Sequence, residues 1–93
     1  MKWILVAATA SLAFLATPAF AQEDLAKSSG CMNCHDVATK KVGPSFKDIA
    51  AKYKGKADAE ATLTTELTTA KGHPAVKAKP EDIPKLVKWV LSQ

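Results

Sequence analysis

The chain has 93 residues and a net charge of +4, and its basic side chains are all lysine, with no arginine at any position. That length holds one domain, and without guanidinium groups the bidentate clamp that grips phosphates is missing, so nucleic-acid binding has nothing to recommend it. The two cysteines fall together in one five-residue stretch.

The first 21 residues read as an export signal. Lys2 supplies a positive start, Ile4 to Ala16 is apolar except for Thr9 and Ser11, and Pro18 breaks the run before the small-x-small pattern Ala19-Phe20-Ala21. The run is shorter than the ~20 residues of a bilayer span, so cleavage after Ala21 is expected in place of a retained anchor. Residues 22–93 would then form a single domain with twelve lysines and nine acids, a net +3. A domain of that size stands at the low end of the roughly 70–80 residues at which an apolar core alone suffices.

The pattern after residue 21 is four short helices with no convincing strand. The first spans about Glu23 to Asn33. Glu23 and Asp24 suit its N-terminus, and Ala26, Ser28, Ser29 and Gly30 are small enough to let another helix approach. It runs into Cys31-Met32-Asn33-Cys34-His35. Two cysteines separated by two residues, with a histidine directly after the second, are the pattern of c-type haem attachment. One helical turn would bring both thiols under one porphyrin edge, where each forms a thioether with a vinyl group, and would point His35 at the iron.

Three other chemistries use similar residues. A redox dithiol wants a strand-to-helix context that is missing. A zinc site of Cys31, Cys34, His35 and His73 places adjacent residues awkwardly around one small ion. A plain disulfide is the third. The export signal, the helical layout and the second histidine favour haem over all three. Attachment of c-type haem outside the cytoplasm agrees with the leader, and a covalent haem would supply apolar bulk that the small domain lacks. The apoprotein is therefore expected to fold poorly.

A loop from Asp36 to Pro44 follows, with Lys40-Lys41 at its middle. Ser45-Phe46-Lys47-Asp48 reads as a capping-box start with Asp in place of the usual Glu or Gln. The second helix places Phe46, Ile49, Ala50 and Tyr53 on one face and ends at Gly55. Asp58 to Ala70 makes the third, with Leu63, Leu67 and Ala70 as its stripe, Gly72 as its stop, and threonines that lower its propensity. A loop from His73 to Lys79, bounded by Pro74 and Pro80, leads to a last helix from about Glu81 to Leu91. Ile83, Leu86, Val87, Val90 and Leu91 recur there at helical spacing, and Pro84 is tolerated in the first turn. Trp89 stands beside this stripe and is expected to pack on the first helix.

On three segments the chain resembles the short bacterial monohaem class I cytochromes c of the c-551 type. They are Gly30-Cys31-x-x-Cys34-His35, Val42-Gly43-Pro44-Ser45-Phe46-Lys47-Asp48-Ile49-Ala50, and the closing Lys88-Trp89-Val90-Leu91-Ser92-Gln93. The resemblance implies an all-α fold of about four short helices around one covalent haem c, held through Cys31 and Cys34 with His35 on the iron. It implies too that the Pro44 carbonyl accepts a hydrogen bond from the other nitrogen of His35 and orients the ring. In that family the distal ligand is a methionine followed by proline, in the loop before the last helix. Here the one methionine beyond the leader, Met32, lies between the cysteines on the wrong side of the ring. Counted back from Lys88-Trp89, the family's Met-Pro falls without a gap on His73-Pro74, after a shorter loop than usual. His73 is thus the expected second ligand, since neutral imidazole binds iron well. Lys71, Lys77 or Lys79 after losing a proton, or water in an open site, are the alternatives.

These expectations combine into a periplasmic electron carrier and not an enzyme. No catalytic acid, base or nucleophile stands out, and Glu60 and Glu66 lie on a helix side that reads as solvent. Iron held by two imidazoles leaves no position for a substrate, and its potential should be lowered, because methionine ligation raises it. Lys40, Lys41, Lys71, Lys77 and Lys79 flank the motif and the expected ligand, and would steer redox proteins with acidic docking surfaces. The mature chain is expected to be a monomer without stable membrane insertion. A haem-based gas-binding or sensing protein with an open or labile distal site, or the electron-transfer subunit of a redox enzyme, would share most of these features.

Overall fold

The computed structural model describes residues 19–93. The charged start, apolar run and Pro18 of the expected export signal lie outside the described residues. Four helices, α1 (Ala19–Ser28), α2 (Phe46–Tyr53), α3 (Ala59–Thr69) and α4 (Ile83–Leu91), are joined by loops and two 3-10 turns, Cys31–Asn33 and Pro80–Asp82. Among the described residues there is no strand, and no helix is long and apolar enough to cross a membrane. The all-α expectation holds, with boundaries that differ.

Helix α1 departs from expectation. It is already helical at Ala19, the first described residue, so the expected cleavage point lies within the helix, and Glu23, 3.9 Å from Lys27, does not sit at its N-terminus. It stops at Ser28, short of Asn33, because Gly30 turns left-handed with φ 82° and ψ 7°, a conformation that glycine adopts without a Cβ penalty. The Ser29 N–H still donates to the Leu25 carbonyl at 2.9 Å, while the Gly30 N–H turns back to Lys27 at 3.2 Å. The two cysteines therefore occupy a separate, tighter turn and not the end of the helix.

Helix α2 begins with its backbone donors accounted for, which is what a helix start lacks unless something supplies acceptors. The Phe46 N–H donates to the Asp36 carbonyl and the Lys47 N–H to Val37, both at 3.0 Å. The Asp48 N–H donates to the Ser45 hydroxyl at 3.1 Å. Ser45, in extended geometry, is the N-cap that the sequence calls for. These bonds fold the chain that follows the motif onto the first turn of α2.

Helix α3 forms despite its threonines. Thr65, Thr68 and Thr69 donate their hydroxyls to the carbonyls four residues back, at 2.9, 2.7 and 2.8 Å. Its expected stripe is only partly inside: Leu63 and Leu67 are half-buried, Ala70 is exposed, and the buried residue is Ala59. Glu60 beside it reaches Lys88 at 3.8 Å, so the first turn of α3 lies against α4. The stop differs as well. Ala70 itself turns left-handed, with φ 55°, two residues before Gly72 was expected to end the helix.

Helix α4 carries the densest burial, with Ile83, Leu86, Val87 and Trp89 all inside, and α1, α2 and α3 pack on it. The Trp89 and Phe46 rings meet edge to face at 5.2 Å and 74°, a favoured aromatic geometry. With Ala26 and Leu86 they form the central cluster, against which Cys31, Met32 and Val37 pack. Trp89 thus shares the core with α1 as expected, but its ring partner comes from α2.

Ser45→Ala should lower stability by about 1 kcal/mol, the usual loss for an N-cap hydroxyl. In a thermal melt of the holoprotein, this corresponds to a midpoint lower by roughly 4–8 °C for a domain of this size. An unchanged midpoint would mean that the hydroxyl does not serve as the cap.

Candidate haem site

The turn that carries the motif is built from its own backbone. The Cys34 N–H donates to the Cys31 carbonyl at 3.3 Å, and the His35 N–H donates to the same carbonyl at 3.0 Å. One carbonyl thus binds the second cysteine and the histidine into a single unit. Both thiols are half-buried and not joined to each other. Burial against the core pushes the Cys31 thiol up from its ordinary pKa. Among the described residues, no three His, Cys, Asp or Glu side chains are grouped so as to hold a metal ion, which leaves the four-residue zinc arrangement without geometric support.

His35 leaves this turn and is held from three sides. Its Nδ1–H donates to the Pro44 carbonyl at 2.6 Å, the bond that the sequence resemblance implied. Its ring lies 5.2 Å from Phe46, with planes 25° apart. Behind it, Gly43 is a close approach: a Cβ there would come 2.8 Å from Nδ1 and 2.9 Å from Nε2 of His35. Only glycine fits, and the Gly43 N–H closes the loop by donating to the Cys34 carbonyl at 2.7 Å. Gly-Pro in the sequence reads as a turn. The steric need for glycine at 43, and the Phe46 ring beside His35, become visible only once the loop is closed.

His73 lies half-buried in the loop between α3 and α4. That loop is tied to the motif side by the Lys77 N–H, which donates to the Ser29 carbonyl at 3.3 Å. The His73 Nδ1–H donates to the Pro74 carbonyl at 2.7 Å, a contact that the sequence reading did not anticipate. The two imidazoles, 38 positions apart in sequence, come together with ring centroids 6.0 Å apart and planes within 5°. A carbonyl only accepts, so each Nδ1 carries the hydrogen, and in the neutral tautomer the lone pair is then on Nε2. Two parallel imidazoles with available Nε2 atoms, beside two thiols in one turn, are a donor set that fits an iron porphyrin. His35, Pro44 and His73 are thus grouped, with Cys31 and Cys34 on the backbone turn that ends at His35.

The five lysines of the flanking loops, Lys40, Lys41, Lys71, Lys77 and Lys79, are all exposed. Lys41 donates its Nζ to the Met32 carbonyl at 3.2 Å. The ion pairs among the described residues use Lys27, Lys85 and Lys88 instead.

The family model for cytochrome c matches residues 23–93. Cytochrome c-551 of Pseudomonas aeruginosa is 37% identical over 100 residues, covering 98% of this chain and 96% of that relative. Over 59 residues, 63% of this chain, cytochrome c-552 of Hydrogenobacter thermophilus is 51% identical, and the stretch spans 57% of that relative. Among solved structures, the class 1 cytochrome MtoD from Sideroxydans lithotrophicus ES-1 is similar with a TM-score of 0.72 and 40% identity, covering 83% of this chain and 97% of that one. With its four-helix fold and the cysteine pair that one covalent haem c requires, the chain belongs to the cytochrome c family, class I.

Proposed function

We propose that this chain is a periplasmic electron carrier, monomeric after cleavage at Ala21, with its haem anchored by Cys31 and Cys34 and its iron held between His35 and His73. Cytochromes c of the c-551 and c-552 type are electron carriers and not enzymes, and they work by meeting redox partners. The observation that carries the ligand assignment is the placement of the two imidazoles, 6.0 Å apart and parallel within 5°. The two rings would hold the iron through their Nε2 atoms, the nitrogens not engaged by the prolyl carbonyls.

Bound in this way, haem supplies a one-electron ferric–ferrous couple. The side chains decide where that couple sits. His35 and His73 each present a nitrogen made more basic by donation to a prolyl carbonyl, which favours the ferric state and lowers the potential relative to methionine ligation. Together they leave no iron position for substrate or gas. Pro44 fixes the plane of His35. The exposed lysines at 40, 41, 71, 77 and 79 offer positive charge on both loops that flank the site, suited to partners with acidic docking surfaces.

Intact-mass measurement of exported protein should give a chain starting at Gln22 plus one haem, retained through denaturation. A chain that keeps Met1 would refute the leader, and haem lost to acidified solvent would refute thioether attachment.

Wild-type ferric protein should be low-spin without the far-red methionine–iron band, and the ferrous form should bind carbon monoxide slowly. His73→Ala should give high-spin ferric iron and rapid carbon monoxide binding. His73→Met should raise the potential. Rapid binding by the wild type would take His73 off the iron and make the gas-binding reading the better one.

A further inference from the structure

His35 and His73 make the same hydrogen bond by different means. The acceptor for His35 is Pro44, nine residues on, and that carbonyl is placed by the fold. Gly43 is bonded to Cys34, Ser45 caps α2, and Phe46 sits in the core. The acceptor for His73 is the adjacent Pro74, exposed and in a loop without helix or strand. The nearest backbone tie of that loop to the rest of the molecule is at Lys77. Whatever fixes the plane of the His73 ring must therefore be largely local.

Three backbone torsions separate the His73 ring from the Pro74 carbonyl: ψ of residue 73 and φ and ψ of residue 74. Proline locks its own φ near about −65° and confines the preceding residue to extended geometry. Two of the three torsions are thus restrained by the identity of one residue. Any other residue at 74 would offer a carbonyl, but one free to swing.

We infer that Pro74 is the positioning residue for His73, its restrained carbonyl holding the imidazole parallel to that of His35 and strengthening it as an iron donor. This rests on the proposed ligation by His73. The consequence is electronic. Parallel imidazoles act on the same iron dπ orbital and split the pair, which gives ferric low-spin iron a rhombic paramagnetic resonance signal. Crossed planes leave the pair nearly degenerate and give one dominant large-g feature. Loss of the Nδ1–H bond also weakens the donor and raises the potential.

The test uses holoprotein and compares wild type with Pro74→Ala and Pro74→Gly, and with Pro80→Ala as the same chemical change at the other end of the loop. Wild type should be rhombic. Both Pro74 variants should stay low-spin and slow toward carbon monoxide, yet shift toward the large-g signal and a higher potential, Gly more than Ala. Pro80→Ala should match wild type. The inference is overturned if the Pro74 variants keep the wild-type resonance and potential, if Pro80→Ala moves them equally, or if untouched protein already shows the large-g signal. High-spin wild-type iron overturns the ligation reading itself, which the spectrum separates from failure of the Pro74 assignment alone.

Discussion

The structure depends on the closure of one loop, from His35 to Phe46. Four hydrogen bonds close it: Gly43 N–H to Cys34, His35 Nδ1–H to Pro44, Phe46 N–H to Asp36, and Lys47 N–H to Val37. Each contributes about 1 kcal/mol net, while fixing each backbone residue of the loop costs about 1–2 kcal/mol. The bonds alone therefore cannot hold the loop. They set its shape, and the burial of Phe46 against Trp89, Ala26 and Leu86 supplies the driving force. The ring that anchors the loop in the core also lies beside His35, so the placement of the histidine and the stability of the domain rest on the same side chain.

Much of this was legible in the sequence because it depends on local chemistry. The attachment motif is a spacing, the Ser45 cap is a residue type at a helix start, and the α4 stripe is a periodicity. The cap is made, the stripe is buried at Ile83, Leu86 and Val87, and the motif's cysteines share one turn. What the sequence could not show arises where one backbone angle overrides a pattern. Gly30 fits the small-residue run at the end of α1, yet its left-handed turn ends the helix before the cysteines. Ala70 reads as a helical residue, and nothing in its identity announces the left-handed turn that it makes. The roles of Gly43 and of the Pro74 carbonyl were hidden for another reason. Each is defined by its distance to an imidazole, and that distance exists only in the folded loop.

Competition for the distal position also bears on the proposal that His73 fills it. Met32 packs against the Ala26–Phe46–Leu86–Trp89 cluster, and its backbone carbonyl accepts from Lys41. Its half-buried side chain thus packs on the motif side. The remaining nitrogen donors of the loop are Lys71, Lys77 and Lys79, all exposed, and His73, half-buried. An ammonium must give up a proton before it can bind iron, whereas a neutral imidazole offers a lone pair directly. The lysine side chain also has four rotatable carbons to immobilise, and their lost freedom adds about 2 kcal/mol. The His73 ring is already held by a hydrogen bond and parallel to His35. Both terms favour the same residue, so in the proposed ligation the loop needs no rearrangement of charge to present its donor, and its lysines stay free to face a partner.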